Sequence, residues 1–393
     1  MGDDSSWSRR TALKGLGGAG VGLLGGVSGV AGKPSGKSNG QGNGKGNGNS
    51  GGAGGSETVV EPGESIQAAV DAADPGTTVR IEAGEYREQV IVRKDLTLKG
   101  DGDPTILPPA GDLNVGDIAV VRPIVGATGD DISLTVEGLT IDGEDADKGG
   151  FYSAIGYFEA DGTVRNVTAT QADYGGFITQ NLGGGGDQDV TVEDSEFTSL
   201  GFQPLVFNER GTTGTVTGNR FVGTPGTTQY ALTAGYGASL DVKRNTFADF
   251  YHEDGSGIGF YAFNSSDCTV QQNEFQNVQY AAYFLADSSS NFANEVGDAR
   301  FIKNEVTGTE VEGTSYGTTL YANDLVTDDV IESADNIKVV NNTYTDLDVG
   351  VATYAVGDGQ VENTKIINNE FTDVATPIDD NGTETKQQAN RVE

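Results

Sequence analysis

The chain of 393 residues has one cysteine, one histidine, and only 24 Lys and Arg against 58 Asp and Glu. A single thiol, Cys268, excludes an intrachain disulfide framework and reads as a small buried apolar residue. The shortage of basic charge excludes nucleic acid as a partner, because phosphate binding requires a basic surface. No segment supplies the ~20 consecutive strongly apolar residues of a spanning helix, so membrane insertion is not expected. The formal charge of −34 is uneven: the first 56 residues hold 6 basic and 2 acidic side chains, leaving 18 and 56 in the rest, a net of −38. So many carboxylates repel one another in dilute buffer, whereas at molar salt the Debye length falls to about 3 Å and the repulsion is screened. Regular apolar periodicity through the body argues against disorder, the other state open to an acidic chain.

What the chain does have is a repeated phrase: a hydrophobic residue, two variable residues, Asn, one more, then an aromatic or aliphatic residue. Val216 to Phe221 reads VTGNRF, Val242 to Phe247 VKRNTF, Val270 to Phe275 VQQNEF, Phe301 to Val306 FIKNEV, Val339 to Tyr344 VVNNTY and Ile366 to Phe371 IINNEF. Val192 to Phe197 (VEDSEF) and Val136 to Ile141 (VEGLTI) are degenerate copies. Repetition at a near-constant interval signals a solenoid, one long domain rather than several globular ones. Each interval holds a second strand: AIGYF from Ala154, GFITQ from Gly176, PLVFN from Pro204, YALTA from Tyr230, GIGFYAF from Gly257, YAAYF from Tyr280, TTLYA from Thr318 and GVATY from Gly350. That spacing fits coils of three short strands stacked at about 4.8 Å. Asn219, Asn245, Asn273, Asn304, Asn342 and Asn369 then recur at one place in each coil, where their amides can bond the next Asn and the turn backbone. The fold expected is all-β, a right-handed parallel β-helix over residues 57–380, followed by a tail at 381–393.

Ser65 to Ala73 places Ile66, Ala69, Val70 and Ala73 on one helical face, a short cap for the first coil. The stretch Ser65 to Val92 (SIQAAVDAADPGTTVRIEAGEYREQVIV) resembles the opening of right-handed β-helix proteins of the pectin lyase-like superfamily. Its G-x-Y-x-E element, Gly84, Tyr86 and Glu88, is similar to that of pectin methylesterases. Upstream, Ser8 to Lys14 (SRRTALK) before the Gly-rich run to Gly32 resembles a twin-arginine export signal. Residues 33–56, rich in Gly, Asn and Ser, read as a flexible tether. The acidic, Lys-poor body resembles secreted proteins of halophilic archaea. These resemblances imply an extracellular protein whose fold belongs with polysaccharide-acting enzymes. No methylesterase active-site motif, no Asn-Thr-Asp or Gly-His-Gly of polygalacturonases and no Arg-x-Pro-x-x-Arg of pectate lyases is present, so no family catalytic residue carries over.

Variable loops beside a rigid coil are where a solenoid binds its ligand. Period-two alternation along the second strands directs Ile258, Phe260, Ala262, Ala282, Phe284 and Leu320 inward. It directs Gly259, Tyr261, Phe263, Tyr283, Asp287, Tyr321 and Asn323 outward, and by extension Phe158, Asn181, Asn208 and Arg210. An outward stripe of rings and amides suits a polysaccharide or other glycan, since sugar faces stack on rings and hydroxyls pair with amides; a phase error of one residue would instead send the rings into the core. For a glycosidase, Glu159 with Glu209, or Glu209 with Asp287, are the carboxyl pairs that stacking brings closest; Asp161 and Asp324 flank them. For a uronate lyase, Arg210 is the candidate base, and His252, in a loop beside Glu253 and Asp254, is a further base or metal ligand. No metal ligand is assigned and no cofactor is identified with certainty. Ca²⁺ is the one ion considered, since Asp142 to Gly150 (DGEDADKGG) has the oxygen count, although its spacing departs from the EF-hand and a solvated acidic loop explains it as well. A monomer is expected. The competing reading is a non-catalytic surface or matrix protein that binds glycans or a protein; sequons at Asn166, Asn264, Asn341 and Asn381 bear on it.

Overall fold

The computed structural model describes residues 56–113, 121–147, 150–180, 187–253, 255–287, 295–308, 315–324 and 332–393. Residues 1–32, expected to be an export signal, and residues 33–55 of the expected tether lie outside the described residues. The chain winds as a parallel β-helix whose coils feed three long sheets of 13, 12 and 11 strands, with a fourth sheet of three. One coil shows the plan: Ser239–Lys243 in the first sheet, Thr246–Ala248 in the second, Ile258–Phe263 in the third, each paired parallel with its counterparts above and below. Every second-strand expectation falls in the third sheet.

The repeated phrase is the corner between the first two sheets. Its third residue is left-handed, with φ of 70° at Gly218, 53° at Arg244, 55° at Gln272, 56° at Lys303, 59° at Asn341 and 54° at Asn368. Such a bend turns backbone polar groups into the coil, where they need partners. The Asn that follows supplies them. Asn245 Oδ1 accepts from both the backbone N (2.9 Å) and the Nδ2 (3.0 Å) of Asn219, whose Nδ2 also donates to Val192 O at 2.9 Å. The same three bonds recur through Asn273, Asn304, Asn342 and Asn369. Ser195 begins the ladder, its backbone N donating to Asn219 Oδ1 at 3.0 Å. Asn390 adds a rung that the sequence reading missed, accepting from Asn369 N at 3.0 Å. The expected tail is therefore corrected: Lys386–Gln388 and Arg391–Val392 pair with the preceding coil, and the phrase went unrecognised because Gln387 stands in its hydrophobic position.

The phrase's last residue points inward and builds a second column. Phe197, Phe221, Phe247 and Phe275 stack at 5.1, 4.9 and 4.7 Å between centroids, within 13° of parallel, and Tyr344 stacks on Phe371 at 5.1 Å. Facing these rings across the coil is a column of small residues in the third sheet. A Cβ at Gly175, Gly259, Gly317 or Gly350 would lie 2.5, 2.6, 2.4 and 2.4 Å from Phe197, Phe275, Tyr344 and Phe371 respectively. This corrects the alternation at one point. Gly259 faces in, and Ile258 packs outside with Tyr261 and Phe263. The strands bend there, so that two successive residues, as in Ala231–Leu232 and Ala281–Ala282, both enter the core.

The helix runs from Ile66 to Ala72 with Ser65 as its N-cap, and Ile66, Val70 and Ala73 join the core with Ala69 packed against it. Seven residues cannot hold a helix alone. Glu88, of the G-x-Y-x-E element, does much of the holding: its carboxylate accepts from Ser65 Oγ (2.8 Å), Ile66 N (2.7 Å) and Gln67 N (3.0 Å), satisfying orphan donors where the helix dipole favours negative charge. Lys94 Nζ bonds Ala73 O at 2.8 Å at the other end. The fourth sheet, Glu295–Gly297, Ser333–Asp335 and Gln360–Glu362, adds a face to the later coils and helps lengthen the intervals there.

Asn273→Ala removes the acceptor for two donors of Asn245 and the donor to Val242 O, so it should destabilise the fold by roughly 3 kcal/mol or more. Asn341→Ala, at the exposed left-handed residue next to a rung, should cost only about 1 kcal/mol. Denaturant unfolding at molar salt measures both; equal losses would remove the ladder as the special element.

Candidate functional site

The outer face of the third sheet carries two apolar clusters separate from the core. Toward the N-terminal coils, Phe158, Tyr174, Phe177 and Val206 pack with Phe151 and Phe202. Tyr174 meets Phe202 at 5.4 Å and Phe177 at 5.5 Å, both edge-on. Phe158 is only 2 % exposed, so it underlies the surface rather than offering a face to a ligand.

Toward the C-terminal coils lies a field of tyrosines. Register brings Tyr261 beside Tyr283, Phe263 beside Leu285 and then Tyr321, and Tyr280 beside Tyr316. Tyr280 and Tyr316 stack at 4.7 Å and 2°, Tyr230 lies 4.8 Å from Tyr261, and Tyr283 touches Tyr280 and Tyr321 edge-on at 5.4 and 6.3 Å. The expected outward phase therefore holds for Tyr261, Phe263, Tyr283 and Tyr321. Tyr261 (3 % exposed) and Phe263 (1 %) form the floor, while Tyr230, Tyr280, Tyr283, Tyr316 and Tyr321 are half-buried and show part of each ring to solvent. Tyr230, Tyr280 and Tyr316 were not singled out from sequence, because the bend at Gly259 shifts their phase.

At the margin of this field sits Asp287, 7 % exposed, whose Oδ2 accepts from Asn323 Nδ2 at 2.7 Å. Asn264 fixes its backbone: Asp287 N donates to Asn264 Oδ1 at 2.7 Å and Asn264 Nδ2 to Asp287 O at 2.9 Å. Asn264, fully buried and so engaged, cannot carry a glycan in the folded chain, unlike the exposed Asn166, Asn341 and Asn381. Burial raises Tyr236, then the charge of Asp287, to about 12, and burial followed by Tyr316 raises Tyr280 to about 12. Burial also lifts Tyr261 and Tyr283 well above the ordinary phenol value and raises Tyr321. At neutral pH these phenols are hydrogen-bond donors and acceptors, not bases.

The other sequence candidates are spread along the sheet margins. Glu159 and Glu209 occupy the left-handed corner that ends third-sheet strands, with φ of 59° and 79°, in one column with Tyr236 and Asn264. Their backbone N atoms reach Thr179 O (3.1 Å) and Gly235 O (2.9 Å) in the next coil. Two coils, about 10 Å of rise, separate Glu159 from Glu209, whereas three coils, about 14 Å, separate Glu209 from Asp287. Glycosidase carboxyls stand about 5 to 10 Å apart, so the first pair is the closer fit. Asn208 is buried beneath this margin, its Oδ1 lying over Gly235. Arg210 is exposed beside Gly237. His252 lies in the turn before Ile258–Phe263, its carbonyl accepting from Gly255 N at 3.0 Å. That is the opposite margin, about 17 Å from the Glu209 side across a six-residue strand. Asn181 lies outside the described residues. Asp161 opens a first-sheet strand, past the corner from Glu159.

Of the acidic loop Asp142 to Gly150, the described part is tied to the fold. Asp142 Oδ1 accepts from Glu144 N at 2.8 Å, and Arg87 donates to Glu144 Oε1 at 2.7 Å. Among the described residues no group of three or more His, Cys, Asp or Glu side chains gathers as a metal site. Cys268 is buried, as expected, and burial pushes its thiol up to about 12.

The family described as right handed beta helix region matches residues 153–325. The hand is the one that parallel crossovers adopt. Among solved structures, the chain is similar to an exopolygalacturonase from Thermotoga maritima, with 11 % identity, TM-score 0.60, and 83 % of this chain and 86 % of that one covered. It is also similar to the periplasmic alginate epimerase AlgG, with 13 % identity, TM-score 0.54, and 86 % and 84 % covered. A third is a lacto-N-biosidase from Eubacterium ramulus, with 12 % identity, TM-score 0.55, and 86 % and 68 % covered. No curated protein matches the sequence. At these identities the likeness is one of fold, and it bears out the β-helix resemblance drawn from Ser65 to Val92.

The raised phenols give a pH signature. A group held protonated by the fold stabilises it fully below the unfolded phenol pKa near 10, and that contribution is lost as pH rises through the folded values. Of the 14 tyrosines, Tyr236, Tyr261, Tyr280 and Tyr283 should therefore remain unionised until the chain unfolds cooperatively above about pH 11, read as phenolate absorbance against circular dichroism. Smooth ionisation of all tyrosines near pH 10 in a still-folded protein would show that the field is open to water.

Proposed function

We propose that the chain is an exported, salt-adapted carbohydrate-active protein that engages a polysaccharide along the outer face of the third sheet. The observation that carries this reading is the tyrosine field. Five half-exposed rings rise coil by coil on one rigid surface, with Asp287 and Asn323 to pair with hydroxyls. A sugar chain laid along the helix axis meets a new strand about every 4.8 Å. The neighbours of similar fold that act on alginate, polygalacturonan or lacto-N-biose-type glycans support the reading by analogy only. The SRRTALK segment supports export by the twin-arginine route, and the charge of −34 supports function at high salt.

Glycoside hydrolysis is the activity the geometry favours over a lyase reaction. Glu159 and Glu209 share one margin two coils apart, about 10 Å of rise, near the upper end of the range for a carboxyl pair that admits a water. In that role one carboxyl protonates the leaving oxygen while the other activates the water on the opposite face of the sugar. The tyrosines would orient the sugar chain and, being protonated, do not serve as the base that a lyase needs. A non-catalytic surface protein that binds glycans is the second reading. It is favoured by the separation of His252, on the opposite margin, from Glu209 and Arg210.

Reducing-end release and unsaturated-uronate formation, measured on a polysaccharide panel at molar salt, decide between them. Release of reducing ends is expected from at least one member. Glu209→Gln should lower the rate by about 10²- to 10⁴-fold with binding kept, and Tyr283→Ala should weaken binding about tenfold with little change in thermal stability. Binding without turnover would establish the second reading, and absence of binding to every member would end the carbohydrate proposal.

A further inference from the structure

In its later coils the chain segregates its scarce cations by sheet, although Arg122 opens a third-sheet strand nearer the N-terminus. After Arg210 the only Lys and Arg residues are Arg220, Lys243, Arg244, Arg300, Lys303, Lys338, Lys365, Lys386 and Arg391. Lys243, Arg300, Lys338, Lys365 and Lys386 lie on first-sheet strands, and Arg220 and Arg391 on second-sheet strands. Arg244 and Lys303 sit at the left-handed corner between those two sheets. The third-sheet strands Tyr230–Gly235, Ile258–Phe263, Tyr280–Asp287 and Tyr316–Asp324 contain none. Neither do the segments that connect them to the other sheets, because residues 221–242, 245–299 and 304–337 hold no Lys or Arg at all. The only charges within the four strands are Asp287 and Asp324, both acidic and both largely buried.

Recognition of a uronate, sulfate or phosphate on each sugar requires guanidinium or ammonium groups along the binding face, or bridging cations. A face of phenols, Thr233, Thr319 and Asn323, edged by carboxylates, offers hydrogen bonds and ring stacking and repels anions. We infer that the glycan meeting the tyrosine field is an uncharged, hydroxyl-rich polysaccharide and not a polyuronate. This rests on the proposed carbohydrate role and narrows it; it sets the chain apart in ligand chemistry from its alginate- and polygalacturonan-named structural neighbours. It also accounts for the choice of hydrolysis, since elimination across C4–C5 needs a uronate carboxyl to acidify the C5 proton. The nearest basic residue is Arg210, exposed at the margin beside Gly237 and one coil below Tyr236, so a single cation borders the field and none lies within it to meet each sugar in turn.

The test uses the full-length protein and matched oligosaccharide sets that differ only in charge: β-1,4-glucan, β-1,4-mannan and α-1,4-galactan hexamers, their 6-carboxyl (uronate) counterparts, and their 2-amino counterparts. Affinities are measured by calorimetry with a chelator present and again with millimolar Ca²⁺. At about 0.15 M salt the neutral member of the best-bound set should bind at least roughly tenfold tighter than its uronate, and the ratio should shrink toward unity near 1 M salt as repulsion is screened. Asp287→Asn, checked by thermal unfolding for an intact fold, should reduce that ratio at low salt without abolishing neutral binding. Tighter binding of a uronate with or without Ca²⁺, or of an amino counterpart, would overturn the inference while leaving the carbohydrate role standing. Failure of every set to bind would instead remove that role.

Discussion

Everything in this molecule depends on stacking one left-handed corner on another. Each corner turns backbone N–H groups inward at a point where no strand can receive them, and each is rescued by the amide of an Asn one coil away. The arrangement is cooperative in one direction. Every rung accepts from the Asn of the coil before and donates to a backbone carbonyl of that same coil, while its own N–H groups are received by the Asn of the next, so a coil added to the stack completes the one beneath it. Ser195, with one hydroxyl, and then Leu139 and Val167 in the equivalent positions show where the ladder stops and apolar packing takes over.

With the corners fixed, the rest of the coil follows from volume. The phenyl column beyond the ladder is too large for an alternating strand opposite it, and the third sheet yields by placing Gly or Ala there and bending. That bend carries Tyr230, Ile258, Tyr280 and Tyr316 to the outer face, beside the rings that strict alternation already puts there. The aromatic surface is thus a by-product of core packing, fixed in position by a rigid scaffold. Most cations on strands lie on the other two long sheets, where some pair across strands, as Arg165 does with Glu137 at 2.7 Å and Arg80 with Glu57 at 3.2 Å.

The fold was legible because its determinants are local and repeated. A phrase of six residues, met again nearly every coil, marks the corners and the ladder, and the intervals between its copies mark the third-sheet strands. What escaped the sequence was whatever depends on neighbouring coils. Gln387 hid the last rung, the fourth sheet was lost in a long interval, and the inward turn of Gly259 is visible only against the Phe275 ring. The candidate site was legible in part for the same reason. Alternation found Tyr261, Tyr283, Tyr321 and Asp287 but could not tell the buried floor from the open rings. The loop residue His252, offered as a further base, proves to lie on the margin opposite Glu209. Spacing along a chain records periodicity, and convergence across a surface is a property of the stack.

The central claim is that the half-exposed tyrosines of the third sheet are the surface a sugar chain covers. Hydroxyl-radical footprinting with peptide mass spectrometry, run with and without a saturating neutral oligosaccharide, addresses it directly. The account requires ligand-dependent protection of Tyr280, Tyr283, Tyr316 and Tyr321, with no change in the exposed first-sheet face around Lys365 and Lys386. Protection confined to the first or second sheet, with these tyrosines unaffected while the sugar is bound, would contradict it.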